Sequence, residues 1–153
     1  MRTIALIILL FIPVFKNTKQ KKVEPKKVFI FEPKKVWSKK ELECMANYYA
    51  DSIGVCRKIV KKIIRIESNW QIEEMSNKGA KGLMQLMPCH IDSIGAMNPK
   101  KNLITGITFL KYLLDKYSLD TALCCYNMGE KKFFRELPDV KTMEYLLKFK
   151  NAK

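Results

Sequence analysis

The stretch VKKIIRIESNW, Val60–Trp70, sets the period of the chain. Val60, Ile63, Ile64 and position 67 fall at i, i+3, i+4 and i+7, the spacing of one helix face turned toward a core. Position 67 is an acid, Glu67, where the stripe calls for a hydrocarbon. A carboxyl at the end of a buried stripe is costly when ionised, so desolvation raises its pKa. A value of roughly 6 is what a general acid needs to protonate a leaving oxygen near neutral pH. The competing structural role for Glu67 is to cap the helix end or to pair with Arg65 or Lys62 at the surface.

Outward from this stretch the pattern stays helical. Ser38 and Glu41 match a capping box, opening a helix that the sequence runs to Ile53, with Gly54 as its stop. The helix carrying Glu67 is predicted over Val55 to Glu67, and GLMQLMP, Gly82 to Pro88, as a short helix that Pro88 helps end. Asn98 and Pro99 form an N-cap followed by an N1 proline, and Leu103, Ile107, Leu110, Leu114 and Tyr117 share one face of the next helix. Gly106 within it lowers helix propensity by roughly 1 kcal/mol relative to alanine, which predicts close packing there. Further helices are predicted over Asp120 to Met128, stopped by Gly129, and over Thr142 to Phe149. No segment sustains period-two alternation, so the domain is mostly α.

The chain has 153 residues, room for one compact domain, and its 48% hydrophobic content is that of a globular protein rather than a disordered one. Its formal charge of +14 is concentrated at the start, where ten lysines between Lys16 and Lys40 face only Glu24 and Glu32. Residues 1–15 combine Arg2 with an apolar run from Ile4 to Phe15. About 18 Å of helix is too short for a hydrocarbon layer of roughly 30 Å, so this segment reads as a secretory signal or a short membrane anchor. Residues 16–37 repeat Pro-Lys-Lys-Val and read as an extended basic linker, leaving 38–153 as the domain. Five cysteines lack C-x-x-C spacing, which argues against a zinc or thioredoxin-like site; both disulfides and small buried hydrophobes are compatible with them. The single histidine, His90, has no acid-partner motif to complete a nucleophile system.

Glu67-Ser68 is followed by SNKGAKGLMQLMP (Ser76 to Pro88), NPKKNLITG (Asn98 to Gly106) and ALCCYNMG (Ala122 to Gly129). In that order the chain resembles the catalytic domain of the soluble lytic transglycosylases, lysozyme-like enzymes that cleave bacterial peptidoglycan, over about 110 residues, near Leu42 to Phe149. The resemblance implies that Glu67 is the sole catalytic acid and base, and that Ser68 orients it or contacts sugar. It implies Gln85 hydrogen bonding in a saccharide groove, Met84 packing on a pyranose face, Tyr126 near the carboxyl and Asn127 facing substrate. Gly79, Gly82 and Gly129 are implied to permit tight turns and close approach. Cys124, Cys125 and Met128 stand where the family has alanines, and Cys89 and His90 where a threonine is common, which touches secondary groove contacts rather than Glu67.

The implied reaction cleaves the bond between N-acetylmuramic acid and N-acetylglucosamine and leaves a 1,6-anhydro end, with no metal or organic cofactor. Glu73 and Glu74 are the nearest other acids, and a second carboxyl would suit a lysozyme-type muramidase that hydrolyses the same bond. A non-catalytic wall-binding protein is a further alternative, and charge alone suggests a binder of nucleic acid or anionic membrane. The expected partner is the peptidoglycan glycan strand, without specific nucleic acid, and the basic linker is expected to touch an anionic wall polymer or membrane surface. The expected location is exported, in the periplasm or cell envelope. The small size is similar to that of specialised enzymes serving secretion, conjugation or phage assemblies.

Overall fold

In a computed structural model the structure describes residues 35–152; the predicted export segment 1–15 and most of the predicted linker lie outside the described residues. Helix α1, Lys39–Ile53, begins at the expected capping box: the Glu41 N–H donates to Ser38 Oγ at 3.3 Å and the Ser38 N–H to Glu41 Oε2 at 2.8 Å. It ends at Gly54, whose φ of 82° places it in the left-handed region. Leu42, Ala46 and Ala50, four apart, are the residues it buries.

Helix α2, Arg57–Ser68, starts two residues later than the sequence suggests, and Cys56, its N-cap, supplies no side-chain bond. Val60, Ile63 and Ile64 are fully buried, as their spacing requires, while Lys58, Lys61, Lys62 and Arg65 occupy the opposite side. The chain leaves α2 through two consecutive left-handed residues, Asn69 (φ 48°) and Trp70 (φ 68°). A bulky residue there costs about 1–3 kcal/mol, and packing of the buried Trp70 side chain into the core offsets it.

Helix α3, Ser93–Ala96, is a single turn capped by Asp92 that the sequence pattern does not reveal. Helix α4, Pro99–Lys116, has Asn98 as N-cap and Pro99 in its first turn, and buries Leu103, Ile107 and Leu110 on the predicted face, with Leu113 beside them. Helices α5 (Leu119–Met128) and α7 (Val140–Asn151) fall close to their expected positions, and the six-residue α6, Glu130–Arg135, was not expected. Helix α1 packs on α2 and α4, α5 packs on α4, α6 and α7, and α2 meets α7. Among the described residues there is no strand, only isolated bridges from Lys81 to Met75 and Leu86.

The GLMQLMP segment is not a helix. Lys81 and Leu86 exchange two backbone hydrogen bonds of 3.0 Å and close a turn over Gly82, Leu83, Met84 and Gln85. Gly82 (φ 79°) and Gln85 (φ 47°) both lie in the left-handed region, which a right-handed helix excludes. Gly82 is required sterically: a Cβ there would stand 2.3 Å from the Ala96 carbonyl oxygen and 2.4 Å from Asn102 Nδ2.

The close packing expected at Gly106 is present, since a Cβ on it would lie 2.5 Å from Met84 Sδ and 2.9 Å from Met84 Cβ. Gly106→Ala gains about 1 kcal/mol of helix propensity but drives the buried Met84 side chain from its place, an overpacking cost of about 1–3 kcal/mol. The expected net result is a loss of about 1 kcal/mol in denaturant unfolding. An unchanged midpoint would show that Met84 yields freely.

Candidate active site

Glu67 occupies the last turn of α2, partly buried. Desolvation pushes its carboxyl from the ordinary 4.5 up to about 7, and a hydrogen-bonding contact with the Tyr145 phenol pulls weakly the other way. The Tyr145 hydroxyl is buried and makes no hydrogen bond of good geometry, so its contact with Glu67 is long or poorly aligned.

Tyr126 also feels the charge of Glu67, but burial is the main reason its phenol is held well above the usual range. Its O–H donates to the Met84 carbonyl at 2.9 Å. Two phenols feel the charge of Glu67: Tyr126, anchored to the Met84 carbonyl, and Tyr145. Tyr145 escapes sequence reasoning because a tyrosine in an apolar stripe with Leu146 and Phe149 reads as core.

The turn over Gly82–Gln85 is held by three helices. Ser68, at the end of α2, has one hydroxyl proton for two carbonyls, Leu83 at 2.9 Å and Ile64 at 3.1 Å. Asn102 of α4 accepts from the Met84 N–H at 2.8 Å and donates to the Lys81 and Ala96 carbonyls at 3.0 and 3.1 Å. Tyr126 of α5 completes the set. Asn102 went unassigned in the sequence; its signal was a polar residue four positions before Gly106, on the buried face.

Burial corrects two of the expected sugar contacts, Ser68 and Met84. Ser68 is buried and positions the turn instead of meeting a ligand. The Met84 side chain is fully buried against Gly106, so it packs in the core and not on a pyranose face. Gln85 spends its amide nitrogen on the Glu74 and Gly82 carbonyls, each at 3.0 Å. Asn127 is exposed and accepts from Thr142 Oγ1 at 3.3 Å.

Tyr126 and Asn127 line a groove of about 270 Å³ together with Met87, Phe109 and Met128. Glu67 is not among its lining residues; Tyr126, which lines it and senses the Glu67 charge, connects the two. The Phe109 ring lies 5.6 Å from Tyr126 and 4.5 Å from His90, which places the lone histidine in an aromatic row. A larger cavity of about 590 Å³, lined by Lys58, Lys61, Lys62, Arg65, Glu43, Trp70 and Ala152, lies against the basic face of α2, away from the Glu67 face. The five cysteines are free thiols; burial raises the pKa of Cys124 and Cys125, consistent with small core residues. Among the described residues no group of three or more His, Cys, Asp or Glu is placed to hold a metal ion.

Residues 45–146, which hold this acid, the clamped turn and Tyr126, match the transglycosylase SLT domain family. The chain belongs to that family. This SLT domain is 37% identical over 76 residues to a transglycosylase of Enterobacteria phage PRD1, a match covering 47% of the chain and 29% of the phage protein. The chain therefore spans less than a third of that relative's length. The 70 kDa soluble lytic transglycosylase of Escherichia coli has the same fold, with a TM-score of 0.53 at 21% identity, covering 73% of this chain and 20% of that one. The mostly α, lysozyme-like transglycosylase fold expected from the sequence is the fold found.

Proposed function

We propose that this chain is a lytic transglycosylase that cleaves the β-1,4 bond between N-acetylmuramic acid and N-acetylglucosamine in peptidoglycan and leaves 1,6-anhydro ends. The observation that carries this reading is Glu67, a carboxyl that desolvation raises to about 7. Protonated Glu67 donates its proton to the glycosidic oxygen as the bond to the muramyl carbon breaks and positive charge develops on that ring. The resulting carboxylate takes the proton of the same sugar's C6 hydroxyl, whose oxygen bonds to the anomeric carbon. Acid and base are thus one group, restored at the end of each turnover. A hydroxyl tethered beside the reacting carbon has a large effective concentration, which favours ring closure over attack by water. No cofactor enters the scheme. Tyr145 acts on the carboxyl electrostatically, while Ser68, Asn102 and Tyr126 fix the Gly82–Gln85 turn; the Gln85 oxygen and Asn127 remain as polar groups for the glycan.

Mass spectrometry of products released from purified sacculi tests the reading. Anhydro-muropeptides are expected; reducing ends would make the chain a muramidase, and binding without release would make it a wall-binding protein. Tyr145→Phe removes the hydroxyl that lowers the Glu67 pKa, so the alkaline limb of the pH–rate profile, expected near 7, moves upward, with the maximal rate changed by less than about tenfold. An unmoved limb would show that the two groups do not interact.

Export to the cell envelope through residues 1–15 and attachment through the basic linker complete the proposal. Among the described residues no helix is long and apolar enough to cross a membrane. Polybasic segments bind anionic surfaces without sequence information. Deleting residues 16–37 is expected to abolish binding to anionic vesicles or wall polymers and to spare glycan cleavage. Loss of both would place the linker within the catalytic unit. Recruitment by a secretion, conjugation or phage assembly belongs to the same reading, and co-purification from envelopes tests it.

A further inference from the structure

We propose that the cavity on the cationic side of α2 is a binding site for a phosphate group, set apart from the acid and its groove. Lys58, Lys61, Lys62 and Arg65 line it, and at i, i+3, i+4 and i+7 they share one side of the helix. Glu67 follows Lys58 by nine residues, about two and a half turns, so the carboxyl leaves α2 on the opposite side. Like charges three and four positions apart destabilise a helix. Lys58 also adds a cation to the first turn of α2, where the dipole is positive and no acid is present. Lys58 and Lys61 form no ion pair among the described residues, and neither does Glu43, the one carboxylate in the lining. Lys62 is held in place: its Nζ donates to the Phe149 carbonyl at 3.3 Å and stands 5.3 Å from the centre of the Phe149 ring. An anion in the cavity offsets the repulsion that the fold leaves standing.

The lining also decides the class of anion. Beside the cations it offers Trp70, which is 6% exposed and whose indole N–H, a donor only, has no acceptor among the described residues. Glu43 is the one acidic acceptor there. A lining of donors suits a ligand made of acceptors. Phosphate has several oxygens and no N–H, whereas an acidic peptide brings backbone donors that need acceptors of their own. The volume, about 590 Å³, is that of a site for a small ligand or a headgroup. A free phosphate ester and an anionic lipid headgroup share this chemistry. A single phosphate in the cavity binds too weakly to hold the domain on a surface, so attachment stays with the basic linker; a headgroup bound here would turn the Glu67 side of α2 away from the bilayer.

The test uses the full chain, isotope-labelled for nitrogen NMR, with the Trp70 indole N–H signal assigned by its persistence in Trp37→Phe. Titration with glycerol phosphate at constant ionic strength is expected to shift that signal saturably. Lys58→Gln/Lys61→Gln should raise the half-saturation point at least about tenfold. The same loss of charge outside the cavity, in Lys100→Gln/Lys101→Gln, should leave it unchanged. Both variants should cleave glycan at the parent rate, and cleavage lost in the cavity variant alone would overturn the separate role of the site. No saturable shift, or equal shifts in the parent and the cavity variant, overturns the proposal. A stronger response to tetraglutamate than to glycerol phosphate overturns it in favour of an acidic protein segment. Sedimentation with phosphatidylglycerol vesicles separates the two phosphate sources: a bound fraction several-fold smaller for the cavity variant than for Lys100→Gln/Lys101→Gln assigns the phosphate to a lipid headgroup, and equal fractions assign it to a free ester.

Discussion

Glu67→Gln is expected to lower peptidoglycan cleavage at least about a hundredfold, the lower range for removal of a general acid, and to make the protein more stable in alkaline solution. The two effects share one cause. The folded-state pKa of about 7 lies above the ordinary 4.5, so the folded protein holds a proton that the unfolded chain releases between those values. The stabilisation linked to that proton is complete below about pH 4.5 and is lost as pH rises through about 7. By pH 8 the ionised carboxyl costs on the order of 3 kcal/mol, at 1.36 kcal/mol per pKa unit. Glutamine never ionises and escapes that cost. Thermal melts of the two proteins should therefore nearly coincide near pH 4.5 and separate near pH 8, with the variant higher. Cleavage retained by the variant would remove Glu67 from its role, and coincident melts at pH 8 would show that its site is wetter than proposed.

Asn102→Ala is expected to destabilise the fold by about 4 kcal/mol in denaturant unfolding, because each buried polar group left without a partner costs about 1–3 kcal/mol. Two are exposed to that fate, the Met84 N–H and the Ala96 carbonyl, whereas the Lys81 carbonyl keeps the Leu86 N–H. Asn102 is fully buried, so water cannot replace its amide without opening the turn. Asn102→Asp tests the same point at constant shape. It keeps an acceptor for Met84 but turns an oxygen toward two carbonyls, and should fare no better than alanine. A loss under about 1 kcal/mol in both variants would mean that the turn is held without Asn102.

The helices were legible because their signals are local. Ser38 with Glu41, Gly54, and Asn98 with Pro99 mark termini through bonds within a few residues, and the stripe from Val60 to Ile64 reads as a buried face without reference to the rest of the chain. Glu67 was legible for the same reason, as an acid breaking a stripe. The GLMQ turn was not, because its apolar content is that of a short helix while its conformation is imposed by Ser68, Asn102 and Tyr126, 15, 18 and 42 residues away from their backbone partners. Met84 illustrates the limit of carrying a role from residue type: a methionine beside a glycine turn serves equally as groove wall or core, and only Gly106 opposite it decides. Tyr145 lies 78 positions beyond Glu67, and no local pattern ties the two.

The peptide groups at Leu83 and Met84 are the common reference to which α2, α4 and α5 are all fastened. An engineer who moved only the acid and the phenol onto another helical scaffold would transplant the reagents without their ruler. A graft that keeps its alignment has to carry those two peptides, their glycine, and the three side chains that grip them.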